Sequence, residues 1–455
     1  MNIRLVLFFL CAISLVLNGQ TGPKLLGMTQ LGGQFGYGTI FQYTGGDTTI
    51  GSVNSFSPSD GLPQNSTLIK ANNGLFYGLT LNNLIEYNTT SNSYVPKVSF
   101  NITTGEGGYE SLLLANNGNL YGLTNIGGSN IGGTIYEYTV GDTFITRLFD
   151  LDSNARSYGS LIQGSDSNLY GMTNSDGINS LGTIFRYNLT TSTFDTLFNF
   201  STATGSKPEG DLLEVGRDTF YGMTRFGGPN NGGSFFRFIA SSRNYTALQF
   251  FPSQGGPLGS VIRANDSNLY GYFNGGTNNA GALFQYNIGL RTFTVLYNFQ
   301  DSAGDYGYPS GAPYQASDGK LYGMTTGDGF SPGNIFQFDI TTHQIFMKVI
   351  LSGPTGFEPE FGHLTEYTVP TGIAPVSEHK FNLYPNPTTG LFTITNNTHV
   401  IIEVTLISLL GERLKTFTTN ESESTLNVTD LSAGIYAVEI SNGNHTLEVL
   451  KLVKQ

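Results

Sequence analysis

The 455-residue chain has no tryptophan, one cysteine and five histidines, and only 12% of it is charged. Each scarcity excludes something. Cys11 sits inside the apolar run Leu5 to Leu17, so removal of that run on export leaves no thiol for zinc, a disulfide or a nucleophile. Histidine, the usual general base and metal ligand, is confined to His343, His363, His379, His399 and His445. Residues 1 to 342 therefore carry no Ser-His-Asp arrangement, and the composition implies neither a metal nor a cofactor. Basic residues are also few. With 21 Lys+Arg against 33 Asp+Glu the net charge is −12, which excludes the concentrated basic surface a nucleic acid requires. Beyond Leu17 no apolar stretch approaches the ~20 residues of a membrane-spanning helix, so the mature chain should have no membrane span.

Glycine (60 residues), phenylalanine (33) and tyrosine (25) are abundant. Ample apolar material with ample turn residues argues for many short strands and against disorder. Arg4, the apolar run and polar Asn18-Gly19-Gln20 have the three zones of a secretory signal peptide, predicted over residues 1–20. Near the other end, Thr368 to Ser377 holds two prolines and no alternating pattern, and residues 368–379 read as a linker. Residues 380–455 return to period-2 alternation with glycine and proline punctuation, predicting a small β-sandwich.

Between these ends, residues 21–367 are a tandem repeat. A tripeptide of the form [LF]-[LY]-G places its glycine at Gly27, Gly78, Gly122, Gly171, Gly222, Gly271 and Gly323, at intervals of 51, 44, 49, 51, 49 and 52. Each copy continues into a segment like GTIFRY (Gly182 to Tyr187), an aromatic strand like TFDTLFNF (Thr193 to Phe200), and a segment like GSVIR (Gly259 to Arg263) that turns into the next tripeptide. The second copy lacks the glycine-rich loop, which explains its short interval. Four short strands per ~49 residues is the period of a β-propeller blade. In repeat order the strands are a (GSLIQ), b (LYGMT), c (GTIFRY) and d (TFDTLFNF). The repeat region enters at strand b and leaves after strand a, so pairing Leu25 to Thr29 with Gly362 to Glu366 would complete a seventh blade. The expected fold is all-β: a closed seven-bladed β-propeller, with an open solenoid as the alternative, followed by the sandwich.

The tail resembles the type A C-terminal sorting domain of the type IX secretion system of Bacteroidota. The resemblance rests on Tyr384, Pro385, Asn386 and Pro387, then Gly390 and Gly411, the Leu431 to Tyr436 run with Gly434, and terminal Lys451 and Lys454. It implies the secretion machinery as a partner of residues 380–455, passage through the outer membrane, removal of the tail, and release or attachment at the cell surface. The repeats resemble the GloVer repeat of Gloeobacter and Verrucomicrobia, through LYGMT, the Gly-Gly loop, GTIF and the polar turn before the next tripeptide. That resemblance implies no chemistry.

Candidate sites are correspondingly sparse. Asp166, Asp266 and Asp318 have spacings that suit calcium, but Asp and Asn at hairpin turns bond their own backbone, and the turn role is preferred. GGPNNGG (Gly227 to Gly233) lacks the Lys and Ser/Thr of a phosphate loop. Tyr170 and Phe185 read as blade packing. In an antiparallel blade the longer b–c and d–a connections share one end, and binding residues concentrate on such loops. Arg225, Asn230, Asn231, Asp305, Tyr306 and Tyr308 are the candidate binding residues there. The expected function is a noncatalytic secreted or surface interaction module engaging a polysaccharide or another surface ligand; the alternative is a secreted polysaccharide-acting glycosidase or lyase on the same fold.

Overall fold

The computed structural model describes residues 22–51, 53–63, 66–107, 111–252, 256–257, 259–300, 302, 307–326, 332–359, 362–368, 381–396, 401–408, 412–442 and 445–455. The leader expected at 1–20 and nearly all of the linker expected at 368–379 lie outside them. The chain divides into two compact units, Met1–Val369 and Pro370–Gln455. Among the described residues the structure is all-β apart from one 3₁₀ turn, Gly353–Thr355.

The first unit contains seven four-stranded antiparallel sheets among its described residues. The fourth is representative: Ile162–Gln163, Leu169–Thr173, Thr183–Asn188 and Thr193–Asn199 follow one another as strands a, b, c and d. The first sheet is assembled from both ends of the unit, since Thr365–Glu366 supplies its strand a and pairs Leu25 with Glu366 and Leu26 with Thr365. Strand b is buried along its whole length and strand c nearly so, whereas strand d is mostly half-buried, with only Leu197 buried. Strand d is thus the outer edge. Six of the sheets shift register between strands c and d at the same repeat position, as at Ile184/Phe185, and such a bulge strengthens the twist.

The tripeptide glycine has a packing explanation. Gly171 lies opposite Phe185 in the b–c ladder, and a Cβ on Gly171 would come within 2.6 Å of the Phe185 ring. The ring occupies the space a side chain would need, so glycine on strand b and an aromatic on strand c are one requirement. The second repeat carries Ile85 instead, and the nearest atom to a Cβ on Gly78 is the flexible end of Leu68. The threonines that close LYGMT and open GTIF also pair: Thr173 and Thr183 share a buried hydroxyl contact of 2.7 Å. In the sixth sheet both partners are replaced together, by Phe273 and Ala282, so no hydroxyl is left unsatisfied.

Each sheet shares a hydrophobic core with the next. Met172, Ile184 and Leu197 pack with Phe220 and Phe236 between the fourth and fifth sheets, and Tyr272 and Leu283 with Leu321 and Phe336 between the sixth and seventh. Tyr322, Met324 and Ile335 pack with Leu25, Phe41 and Tyr43, so the last sheet shares a core with the first.

The second unit has a three-stranded sheet (Phe381–Tyr384, Leu391–Asn396, Glu423–Asn427) and a four-stranded one (Arg413–Thr419, Ile402–Ile407, Gly434–Asn442, His445–Lys454). Phe392 and Ile394 from the first and Val404, Val438 and Leu452 from the second form one core.

Candidate functional site

The carboxylates of the a–b turns are structural. Asp166 Oδ2 accepts from the Tyr170 hydroxyl at 2.9 Å and from Asn168 Nδ2 at 2.6 Å, and Asp266 and Asp318 accept from Tyr270 and Tyr322 at 2.7 and 2.9 Å. Burial alone would raise the Asp166 pKa, but the bonds from Asn168 and Tyr170, with the Arg186 charge, hold it below the usual carboxylate value. The tyrosines respond in the opposite sense: burial, then the bond to the turn aspartate, raises the pKa of Tyr170, Tyr270 and Tyr322 above the ordinary phenol value. Each of these carboxylates holds the hydroxyl of a buried tyrosine. Among the described residues no group of three or more His, Cys, Asp or Glu is placed to hold a metal ion.

A polar collar joins the a strands. The residue after each a-strand glycine, or its equivalent, donates its backbone N–H to the side chain at the same position in the next sheet: Thr67 to Ser111 Oγ (2.9 Å), Ser111 to Ser160 Oγ (3.0 Å), Ser160 to Asp211 Oδ1, and Asp211 to Ser260 Oγ (2.7 Å). Ala312 offers no oxygen, and Ser260 turns to the Gly311 carbonyl at 3.2 Å. His363 N donates to Thr67 Oγ1 at 2.9 Å. The glycines beside this collar are sterically required, because a Cβ on Gly159 would lie 2.1 Å from the Gly210 carbonyl oxygen. Asp211 and His363 are the ionisable members. Desolvation holds the His363 pKa below its ordinary 6.5, opposed by its Nδ1 contact with the Leu364 carbonyl (3.1 Å) and by the Asp211 charge. Sequence reasoning missed the collar, although Ser, Thr or Asp recurring after the glycine of GSLIQ, GDLLE and GSVIR was its visible signal.

The residues selected on the long-loop end are dispersed in role. Arg225 Nη1 contacts both oxygens of Glu209 at 3.0 and 2.9 Å, and its guanidinium lies 5.1 Å from the Phe226 ring centroid. Asn230 is exposed at the loop tip. Asn231 has a left-handed backbone (φ 53°) and accepts from Gly227 N at 3.0 Å. Tyr308 packs against the core of the sixth and seventh sheets, its N–H donating to the Ala280 carbonyl at 2.6 Å. Tyr308 is thus tied into the scaffold. Asp305 and Tyr306 lie outside the described residues.

At the opposite end, between the fourth and fifth sheets, is a cavity of about 420 Å³ bordered by Ser165, Asp166, Tyr170, Glu214 and Arg217, with Asp218 and Ser241 completing it. Glu214, at the end of strand a, accepts from Ser165 N (2.7 Å), Ser165 Oγ (2.8 Å) and Asp218 N (2.9 Å). Asp218 in turn accepts from Ser241 N at 2.9 Å and from the Ser241 hydroxyl.

In the tail, Asn386 connects the two ends of the motif: its Nδ2 donates to the Lys451 carbonyl at 2.5 Å, and its Oδ1 accepts from Val453 N at 2.8 Å. Both peptide bonds Tyr384-Pro385 and Asn386-Pro387 are cis. A Cβ on Gly390 would come within 2.4 Å of Thr429 Cγ2. Gly434 pairs with Lys454 in the ladder, and the Tyr436 hydroxyl donates to the Ser432 carbonyl at 2.7 Å.

Among the described residues, seven four-stranded sheets in series, followed in sequence by a separate two-sheet unit, define an all-β repeat protein of propeller-like architecture with an appended β-domain. The Gloeobacter/Verrucomicrobia repeat model matches residues 14–217 and 203–372, well over half of the chain, and the protein belongs to that family. Residues 382–455 match the secretion system C-terminal sorting domain, which makes this a type IX-exported protein, secreted or held at the outer surface. No helix among the described residues is long and apolar enough to cross a membrane. No curated protein matches the chain. Among solved structures it is similar to the periplasmic gluconolactonase PpgL of Pseudomonas aeruginosa, at 13% identity over 76% of this chain and 99% of that one, with a TM-score of 0.53. At that identity the likeness is one of fold alone. It is also similar to PorZ, a surface component of the type-IX secretion system of Porphyromonas gingivalis, at 14% identity over 92% of this chain, with a TM-score of 0.42; the match spans 56% of PorZ.

Proposed function

We propose that residues 21–367 form a closed seven-bladed propeller that serves as a noncatalytic binding module at a Bacteroidota cell surface or in its medium. In this reading residues 1–20 are its signal peptide, 368–379 the linker and 380–455 the sorting domain. Its ligand is a repetitive polymer, of which a polysaccharide is the best fit, because repeated weak contacts add through effective concentration. The observation that carries the reading is the commitment of Asp166, Asp266 and Asp318 to buried tyrosine hydroxyls, which leaves the repeat's recurrent carboxylates engaged in folding rather than in acid-base work.

The binding surface in this reading is the long-loop end, with Arg225, Asn230, Asn231, Asp305, Tyr306 and Tyr308. Arg225, Asn231 and Tyr308 also have structural partners, so Asn230→Ala is the cleaner probe. A glycan-array screen of the secreted chain, run beside an assay for released reducing sugar or unsaturated product, is the test. Binding without turnover, weakened in the Asn230→Ala variant, is the expected result. Turnover abolished by a single Asp or Glu substitution would replace this reading with the glycosidase or lyase alternative.

A further inference from the structure

The repeat supplies its own controls. In five a–b turns the residue four positions before the tripeptide tyrosine is an Asn or Asp bonded to that tyrosine's hydroxyl: Asn73 to Tyr77, Asn117 to Tyr121, Asp166 to Tyr170, Asp266 to Tyr270 and Asp318 to Tyr322. In the fifth sheet that position is Arg217, four residues before Tyr221. The substitution reverses the charge found in the fourth, sixth and seventh sheets. Arg217 is exposed and borders the cavity of about 420 Å³ between the fourth and fifth sheets.

The rest of the cavity lining presents carboxylates that are held by internal hydrogen bonds. Asp166 is held by Asn168 and Tyr170, Glu214 by Ser165 and the Asp218 amide, and Asp218 by Ser241. An ionised carboxylate has about four lone-pair sites, so these internal bonds leave capacity for more donors. A ligand suited to this wall must donate to carboxylates and accept from a guanidinium. An anion would face three carboxylates; an ammonium group would pair with them but leave the Arg217 donors without an acceptor. Neighbouring hydroxyls on one small ring satisfy both sides. The volume falls in the lower part of the ~300–1,000 Å³ range of small-molecule pockets.

We propose that this cavity is a subsite for one uncharged saccharide unit, with Arg217 donating to a ring or hydroxyl oxygen and Asp166, Glu214 and Asp218 accepting from hydroxyls. The Tyr170 ring is buried and offers no stacking face, so recognition is by hydrogen bonds and is weak for a single unit. The subsite lies at the end formed by the a–b and c–d turns, and the proposal goes beyond the long-loop reading without resting on it.

The test is saturation-transfer NMR of the secreted chain with glucose, galactose, mannose, N-acetylglucosamine, maltose and cellobiose in turn. At least one should receive saturation. Arg217→Asp restores the residue of the fourth, sixth and seventh sheets, so it should keep the parent's melting temperature while weakening that sugar by roughly 10- to 100-fold, the loss expected of a charge-assisted hydrogen bond. Arg217→Gln gives the same reading if the Asp variant melts lower. Silence from all six sugars, undiminished transfer in both variants, or binding of cadaverine in place of the sugars overturns the proposal. Transfer lost in the Asn230→Ala variant but kept in Arg217→Asp overturns it while supporting the long-loop reading.

Discussion

The backbone N–H of His363 donates to the hydroxyl of Thr67 across 296 residues of chain, at 2.9 Å. The bond links the sheet containing both ends of the repeat region to its sequence neighbour, and it belongs to the same collar that joins the other sheets.

Thr67 is 1% exposed, so Thr67→Val should leave the His363 N–H buried without its acceptor, at a cost of about 1–3 kcal/mol. Urea unfolding followed by fluorescence should show a lower midpoint. A midpoint equal to the parent's would mean that the collar bond contributes nothing to the seam.

His363 should make stability pH-dependent. Desolvation lowers its folded pKa below the ordinary 6.5, so the unfolded chain takes up the proton first as pH falls. The stabilising contribution is therefore complete above about pH 6.5 and is lost as pH falls from there towards the folded value. The depressed Asp60 and Asp166 act separately, in the carboxylate range below about pH 4. Melting temperatures between pH 8 and pH 5 should fall in the parent and flatten in His363→Asn. The same slope in both would remove His363 from the account.

Gly171→Ala and Gly78→Ala form a matched pair. The new methyl meets the Phe185 ring at 2.6 Å in the first case and the Leu68 side-chain end at 2.9 Å in the second. A ring wedged in a ladder moves less readily than a leucine methyl, so Gly171→Ala should cost about 1–3 kcal/mol and Gly78→Ala less. Reversal of that order in chemical denaturation would show that the aromatic does not define the glycine requirement.

Export provides a fourth test. Asn386→Ala removes both bonds to the last strand and should destabilise the sorting domain, lowering the exported amount without altering the melting of residues 21–367. Intact-mass analysis of the exported parent should find a species beginning near residue 20 and ending within 368–377. A surface species retaining Gln455 would contradict tail removal.

The sequence by itself determined the repeat, its four-strand unit, the deviant second copy and the sorting tail, because these depend on local alternation and on glycine and turn spacing. The turn role of Asp166 was legible for the same reason, since its Oδ1 accepts from the backbone N–H of Asn168 two residues on; its bond to Tyr170 was not read from the sequence. Arg217 stood in plain view as a departure from that pattern, but it could not be read as a site, because its cavity is completed by Ser165 and Asp166 of the preceding sheet. The partners of Arg225, the anchoring of Tyr308 and the collar from His363 through Thr67 to Gly311 were decided only by the tertiary structure. Each joins residues from different repeats or different loops. A period in the sequence determines what each repeat contains, but the atoms that meet across a junction are set by how one twisted sheet packs on the next.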